Sequence, residues 1–339
     1  MANGQEATAA VPPTPTGEAG GPEPMANGQE PMAAVPPTPT GETGGPEPTA
    51  NSQQPTAAPG FLGGDDEVLL ERICGETPER WERNRGGTTI SFRMVFADGT
   101  MAAFKPEQLV GHSHWEAEVA AYRLSRQLGM NRVPPSCRRS ATRDELLGAE
   151  GVTADFRTRV RDEVPFDADG SVTGMAMYWV PELRGGEEFS LDGDESEWKG
   201  WVMRGGNIPE GREADAAALS DMLLLDWLTL NVDRWTGGQI RRQGSMQGPI
   251  VLIDNAAGFG ADPDAETGRV WSPFRLAQRF RPTVVEALRA LDDAAIDELL
   301  GDILDSEQLR GLRERRDRAL ERIDQLIGQF GEDSVLYFR

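Results

Sequence analysis

A lysine, a glutamate and two aspartates stand in this chain in an order that suits the transfer of a phosphoryl group. They are Lys105, Glu118, Asp233 and Asp254, with the glycine pair Gly86 and Gly87 ahead of them. Phosphoryl transfer asks for positioning and charge neutralisation: backbone over the phosphates, a cation against them, carboxylates for a metal ion, and a carboxylate for the attacking hydroxyl. Each residue also has a plainer explanation. Lys105 closes AAFKP, the end of an alternating apolar run, where a lysine commonly just reaches solvent. Glu118 lies about 100° from an apolar helical stripe. It can face inward at the stripe's edge, to hold Lys105 or ligate a metal, or lie on a solvated face. Asp233, in TLNVDRW, suits a group that takes or orients a hydroxyl proton, or a surface neighbour of Arg234. Asp254 ends the run IVLI and precedes NAAGFG, which suits a hard cation such as magnesium or manganese, or a turn begun by Asp-Asn.

Periodicity shows the elements that must position these groups. TTISFRMVFADGTMAAFKP reads as two strands joined at Ala97-Asp98-Gly99, delivering Lys105 at the end of the second. From His114 to Gly129 the spacing of Ala117, Ala120, Ala121, Leu124 and Leu128 predicts a helix that stops at the glycine. GMAMYWV, Gly174 to Val180, reads as a buried strand. Ala214 to Leu230 is apolar enough to predict a helix inside a lobe, with Asn231 to Trp235 carried at its end. Ile250 to Ile253 predicts a short buried strand, and Thr283 to Phe330 amphipathic helix. Strands first and helices afterwards imply an α+β arrangement in two lobes, 63–183 and 184–339.

Residues 1–60 are of another kind. They hold 13 of the 24 prolines, nine glycines and six glutamates, with no lysine, arginine or aromatic residue. Such a stretch cannot bury a core, and Met1–Pro24 recurs almost unchanged as Met25–Pro48, so 1–62 is expected to be a disordered repeat tail. The net charge of -22 argues against nucleic-acid partners and anionic membranes. No apolar run approaches the roughly 20 residues of a membrane span, and MANGQEATAA lacks secretory features, so a cytoplasmic protein is expected. Cys74 and Cys137 are too few and too far apart in sequence for a disulfide framework or a thiolate zinc site; His112 and His114 have no zinc spacing. No Walker loop, dinucleotide fingerprint or G-x-S-x-G occurs. Trp198, Trp201 and Trp271 read as packing residues.

Four stretches, GGTTISFRMVFADGTMAAFKP, AEVAAYRLSRQLGMNRVPP, LSDMLLLDWLTLNVDRW and LIDNAAGFG, together resemble the four-jointed family of atypical kinases. That group includes the secretory-pathway casein kinase and the xylose kinase of proteoglycan synthesis. The resemblance runs from Gly86 to Gly260 and implies a two-lobed, protein-kinase-like fold. It implies ATP with Mg²⁺ or Mn²⁺, and a hydroxyl-bearing acceptor that is a protein Ser/Thr, a sugar or a small molecule. Gly86 and Gly87 would open the loop over the phosphates and Lys105 would contact them. Glu118 would orient that lysine or help bind metal, Asp233 would be the catalytic aspartate, and Asp254 the metal-binding one, joined by Asn231. Val180, Glu182 and Leu183 would meet the adenine between the lobes. Trp235 stands where the family usually has histidine, Leu230 where it has glycine, and no asparagine follows Asp233 by five residues. The disulfides of extracellular members are expected to be lacking here, as in an intracellular, bacterial relative. The rival expectation is a catalytically inactive kinase fold that binds partners, with the tail as adaptor. A lipid or antibiotic phosphotransferase is a further rival, its lipid form disfavoured by the acidic surface.

Overall fold

The computed structural model describes residues 60–339 apart from 86–87, 110–113, 187, 190, 192–196, 236–237 and 260–262. The repeat stretch and the expected phosphate-loop glycines Gly86 and Gly87 thus lie outside the described residues.

A turn at Phe61–Gly63 leads into helix α1 (Asp66–Leu70), whose N-cap Asp65 accepts the Glu67 N–H. One helical turn, Glu71–Gly75, continues it. The first lobe is built on β1 (Arg80–Arg83), β2 (Phe92–Val95), β3 (Met101–Pro106), β4 (Ser136–Thr142) and β5 (Ser171–Tyr178). They form an antiparallel sheet in the order β1-β2-β3-β5-β4. The β2–β3 hairpin turns where the sequence places it: the Asp98 carboxylate accepts the Thr100 N–H at 2.9 Å. Gly99 there takes φ +85°, a left-handed conformation that side chains resist. β3 alternates in burial. Ala102, Phe104 and Pro106 sink into the lobe, while Met101, Ala103 and Lys105 are half-buried on the other face. Behind the sheet Trp81 packs edge-on to Phe104 at 5.3 Å within a core that includes Ile73, Phe92 and Phe156.

Between β3 and β4 runs α2 (Trp115–Gln127); between β4 and β5 run α3 (Arg143–Gly148) and α4 (Ala154–Glu163). The expected cysteine chemistry needs correction. Cys74 and Cys137 form a disulfide, with Cα atoms 6.2 Å apart although 63 positions separate them. Distance along the chain misled because the turn after α1 lies against β4, a contact that sheet order creates and composition does not show.

The second lobe opens with β6 (Leu183–Arg184), which pairs with β7 (Ile240–Gln243), and β7 with β8 (Ile250–Leu252). Its helices are α5 (Trp198–Val202), α6 (Glu213–Thr229), α7 (Pro263–Phe274), α8 (Pro282–Ala290), α9 (Asp293–Leu300), α10 (Ser306–Phe330) and α11 (Glu332–Val335). Every residue from 218 to 230 along α6 is buried, as its composition demands. The stretch expected to be helix from Thr283 to Phe330 is three helices, since Asp292 and Asp305 accept N–H groups and start α9 and α10 afresh. Trp198 and Trp201 are buried, and Trp271 packs 4.7 Å from Trp227. Among the described residues no helix is long and apolar enough to cross a membrane.

Candidate functional site

Strand register places Lys105. It shares a face with Ala103, and the pairing of β3 with β5 sets Met175 opposite Lys105 and Met177 opposite Ala103. The chains pass so closely that a Cβ on Gly174 would lie 2.3 Å from the Lys105 carbonyl oxygen, which only glycine avoids. The Lys105 ammonium lies 2.7 Å from Glu118 Oε1 and 2.7 Å from Asp254 Oδ1. Burial works against its charge, but the Glu118 and Asp254 carboxylates outweigh it and hold the lysine pKa above its ordinary value. The solvent-reaching explanation of Lys105 does not describe this side chain.

Glu118 is fully buried. Its second oxygen, Oε2, accepts the Asn255 N–H at 2.8 Å, so both oxygens have protein partners. Glu118 thus bonds the lysine through one oxygen and the segment after β8 through the other. Asp254 follows β8 in a left-handed conformation, φ +56°, and its side chain is 53 % exposed. A local Asp-Asn turn would not explain a carboxylate bonded to a lysine 149 positions away.

At the end of α6, Leu230 adopts φ +56°, a left-handed conformation that glycine takes more readily. Buried Asn231 accepts the Asp233 N–H through Oδ1 at 3.2 Å, and Gln239 Nε2 donates to Asp233 Oδ2 at 3.1 Å. Arg234 is no surface neighbour. Its buried guanidinium donates to both Asp226 oxygens, to the Ile253 carbonyl at 2.9 Å and to Asn255 Oδ1 at 2.6 Å. One arginine thereby ties α6, the loop bearing Asp233 and the segment bearing Asp254. Asn255 completes a relay from Lys105 through Glu118 to Arg234 and Asp226. Sequence reading missed Arg234, Asn255 and Asp226; the available signal was a carboxylate, Asp226, within the most apolar stretch of α6. Trp235 stacks on Trp198 with ring centres 5.4 Å apart.

Lys105, Glu118 and Asp254, bonded to one another, line a cavity of about 440 Å³. Ala103, Met175, Met177, Val180, Leu183 and Ile253 make the rest largely apolar, with Glu182 and Asn84 also at its lining. Val180, Glu182 and Leu183, the residues expected to meet an adenine, all line this cavity. Asn231 and Asp233 are not among the lining residues. The unforeseen liners Met175 and Met177 follow from β3–β5 register. Among the described residues no three His, Cys, Asp or Glu side chains gather closely enough to hold an ion unaided. The exposed Asp254 carboxylate suits a magnesium-like cation held by one or two carboxylates and completed by phosphate oxygens.

No family model matches the chain. Over 224 residues it is 28% identical to human four-jointed box protein 1, covering 59% of this chain and 48% of that relative, so it spans about half of that protein's length. Over 305 residues it is 24% identical to human glycosaminoglycan xylosylkinase, covering 74% and 72% of the two chains. In three dimensions it superposes on the crystal structure of the Golgi casein kinase with Mn and ADP bound, with TM-score 0.61, at 18% identity, over 80% of this chain and 78% of that one. The fold is kinase-like. The α+β, two-lobed expectation therefore holds, and the sequence similarity falls on the group that the four motifs resembled.

Proposed function

We propose that the protein is an ATP-dependent phosphotransferase of the four-jointed type, moving the γ-phosphoryl group to a hydroxyl acceptor. The observation that carries this reading is the constellation Lys105–Glu118–Asp254 lining a cavity whose remaining walls are mostly apolar. Such a cavity fits a base against its apolar walls and phosphates beside the lysine. Lys105, kept charged, lies against the phosphates while Glu118, fixed by Asn255, holds it in place. Asp254 is the residue to hold Mg²⁺ or Mn²⁺, an ion that would supply neutralisation of the phosphate charge. The metal and nucleotide in the casein kinase structure support that pairing. Asp233, oriented by Gln239 and Asn231, takes or orients the acceptor's proton. The xylosylkinase similarity supports a sugar acceptor and the casein kinase fold a protein Ser/Thr. We place the protein in an oxidising compartment rather than the cytoplasm, because a disulfide such as Cys74–Cys137 persists there.

The test is transfer from labelled ATP, with Mg²⁺ or Mn²⁺, to casein and to xylose-bearing acceptors. Asp254→Asn should lose metal–nucleotide binding and transfer together. Asp233→Asn should keep ATP binding and lose about 10²–10⁴-fold in turnover. Wild-type transfer at background, with ATP still bound, would hand the fold to the inactive binding-module reading.

A further inference from the structure

The first described residues of the chain touch two parts of the site at once. Phe61 is 6% exposed and forms a cluster with Val180 and Val251, with Leu183 and Ile253 at its edge. Val180, Leu183 and Ile253 are cavity liners, whereas Phe61 packs behind them. The Phe61 N–H donates to Asp66 Oδ1 at 2.7 Å, and the Leu62 N–H donates to the Asn131 carbonyl at 3.2 Å. Asp66, 5% exposed, is the pivot: Oδ2 accepts the Tyr122 hydroxyl at 3.0 Å and lies 3.3 Å from Arg126 Nε. The wrap is close, since a Cβ on Gly60 would stand 2.4 Å from Asp66 Oδ1.

Tyr122 and Arg126 follow Glu118 on α2 by four and eight positions. Four residues advance a helix by about 400°, so these side chains form one stripe that drifts about 40° per step. A group gripping Tyr122 and Arg126 therefore acts, together with the packed apolar face of α2, on the rotation that aims Glu118. Rotating α2 by about 20° would carry a side chain at a radius of 5–6 Å through about 2 Å. That is enough to break the 2.7 Å bond to Lys105.

We infer that Gly60 to Asp66 is a strap that positions the nucleotide site, with Phe61 setting the connection between the lobes and Asp66 setting the rotation of α2. The inference rests on the nucleotide reading above. Phe61 and Asp66 act through Val180 and Glu118 and touch no substrate, so they are positioning residues.

The experiment uses the full chain with Phe61→Ala, Phe61→Leu and Tyr122→Phe, the last two chosen to keep the fold. Mg–ATP affinity is measured by calorimetry, kcat and KM by transfer, and hydrogen exchange over α2 and residues 178–183. Phe61→Ala should weaken Mg–ATP binding about tenfold, with Phe61→Leu restoring most of it. Tyr122→Phe should lower kcat several-fold with KM for ATP nearly unchanged, as expected when a catalytic group is misplaced. Lower melting temperatures with wild-type affinity, kcat and exchange would overturn the inference and leave a purely structural segment. If the wild type binds no nucleotide, the kinase reading falls and exchange decides the strap alone. Faster exchange in α2 and 178–183 for Phe61→Ala then sustains it, and unchanged exchange overturns it.

Discussion

Two cation–carboxylate clusters meet at Asn255, and they are built on opposite terms. Arg234 is buried, and its partners Asp226, Ile253 and Asn255 surround it with accepting oxygens. Lys105 has a buried partner on one side, Glu118, and a half-exposed one on the other, Asp254. A buried ion pair adds little net stability while intact but costs much when one member is lost, because the other is left without compensation. An exposed carboxylate can exchange its partner for water or an ion at little cost. Position is thus stored where every group is bonded, and exchangeable charge is kept where a ligand arrives.

That contrast can be broken most forcefully at Arg234. Arg234→Met should destabilise the protein by about 3–5 kcal/mol, since Asp226 is left buried and unpaired, and a melting curve will show it as a shift of many degrees. The brace of the first lobe comes next. Replacing Cys74 and Cys137 with serine should cost about 2–4 kcal/mol, because the opened loop regains chain entropy, and denaturant midpoints will report it. If nucleotide affinity also falls, Lys105 and Glu118 depend on that brace much as Asp233 and Asp254 depend on Arg234. Asp254→Asn should move stability by less than about 1 kcal/mol, as befits a half-exposed pair, while removing metal-dependent nucleotide binding; a loss of several kcal/mol would place Asp254 in the scaffold. A pH series sharpens the same point. The lysine pKa is raised in the folded state, so its stabilising contribution is complete below its unfolded value of about 10.4 and is lost only as pH rises beyond that. Melting temperatures between pH 6 and 9 should show no step from Lys105. Deleting residues 1–59 should change neither melting temperature nor ATP affinity, since that stretch has no apolar surface to bury.

What could be read from the residues alone was local. The β2–β3 hairpin, α2, α6 and β8 each announce themselves by a period or a turn within a dozen residues, and the four charged site residues ride on them. What escaped was made by pairing across long separations. The disulfide depends on the turn after α1 meeting β4, and the methionine liners depend on β5 lying beside β3. β4 itself, SCRRSAT, was hidden because it is an edge strand whose exposed positions carry arginine and serine in place of apolar residues. Arg234 was visible as a residue but not as a hub, since its partners come from three separate segments.

The Cys74–Cys137 bridge closes a covalent ring, and Lys105 and Glu118 both lie inside it. A protease that cuts one peptide bond between residues 75 and 136 therefore adds a water and releases no fragment. The hairpin bearing the lysine and the helix bearing its glutamate stay leashed to one another, and only a reductant can set them apart. Nicked protein should run as a single species without thiol and as two pieces with it.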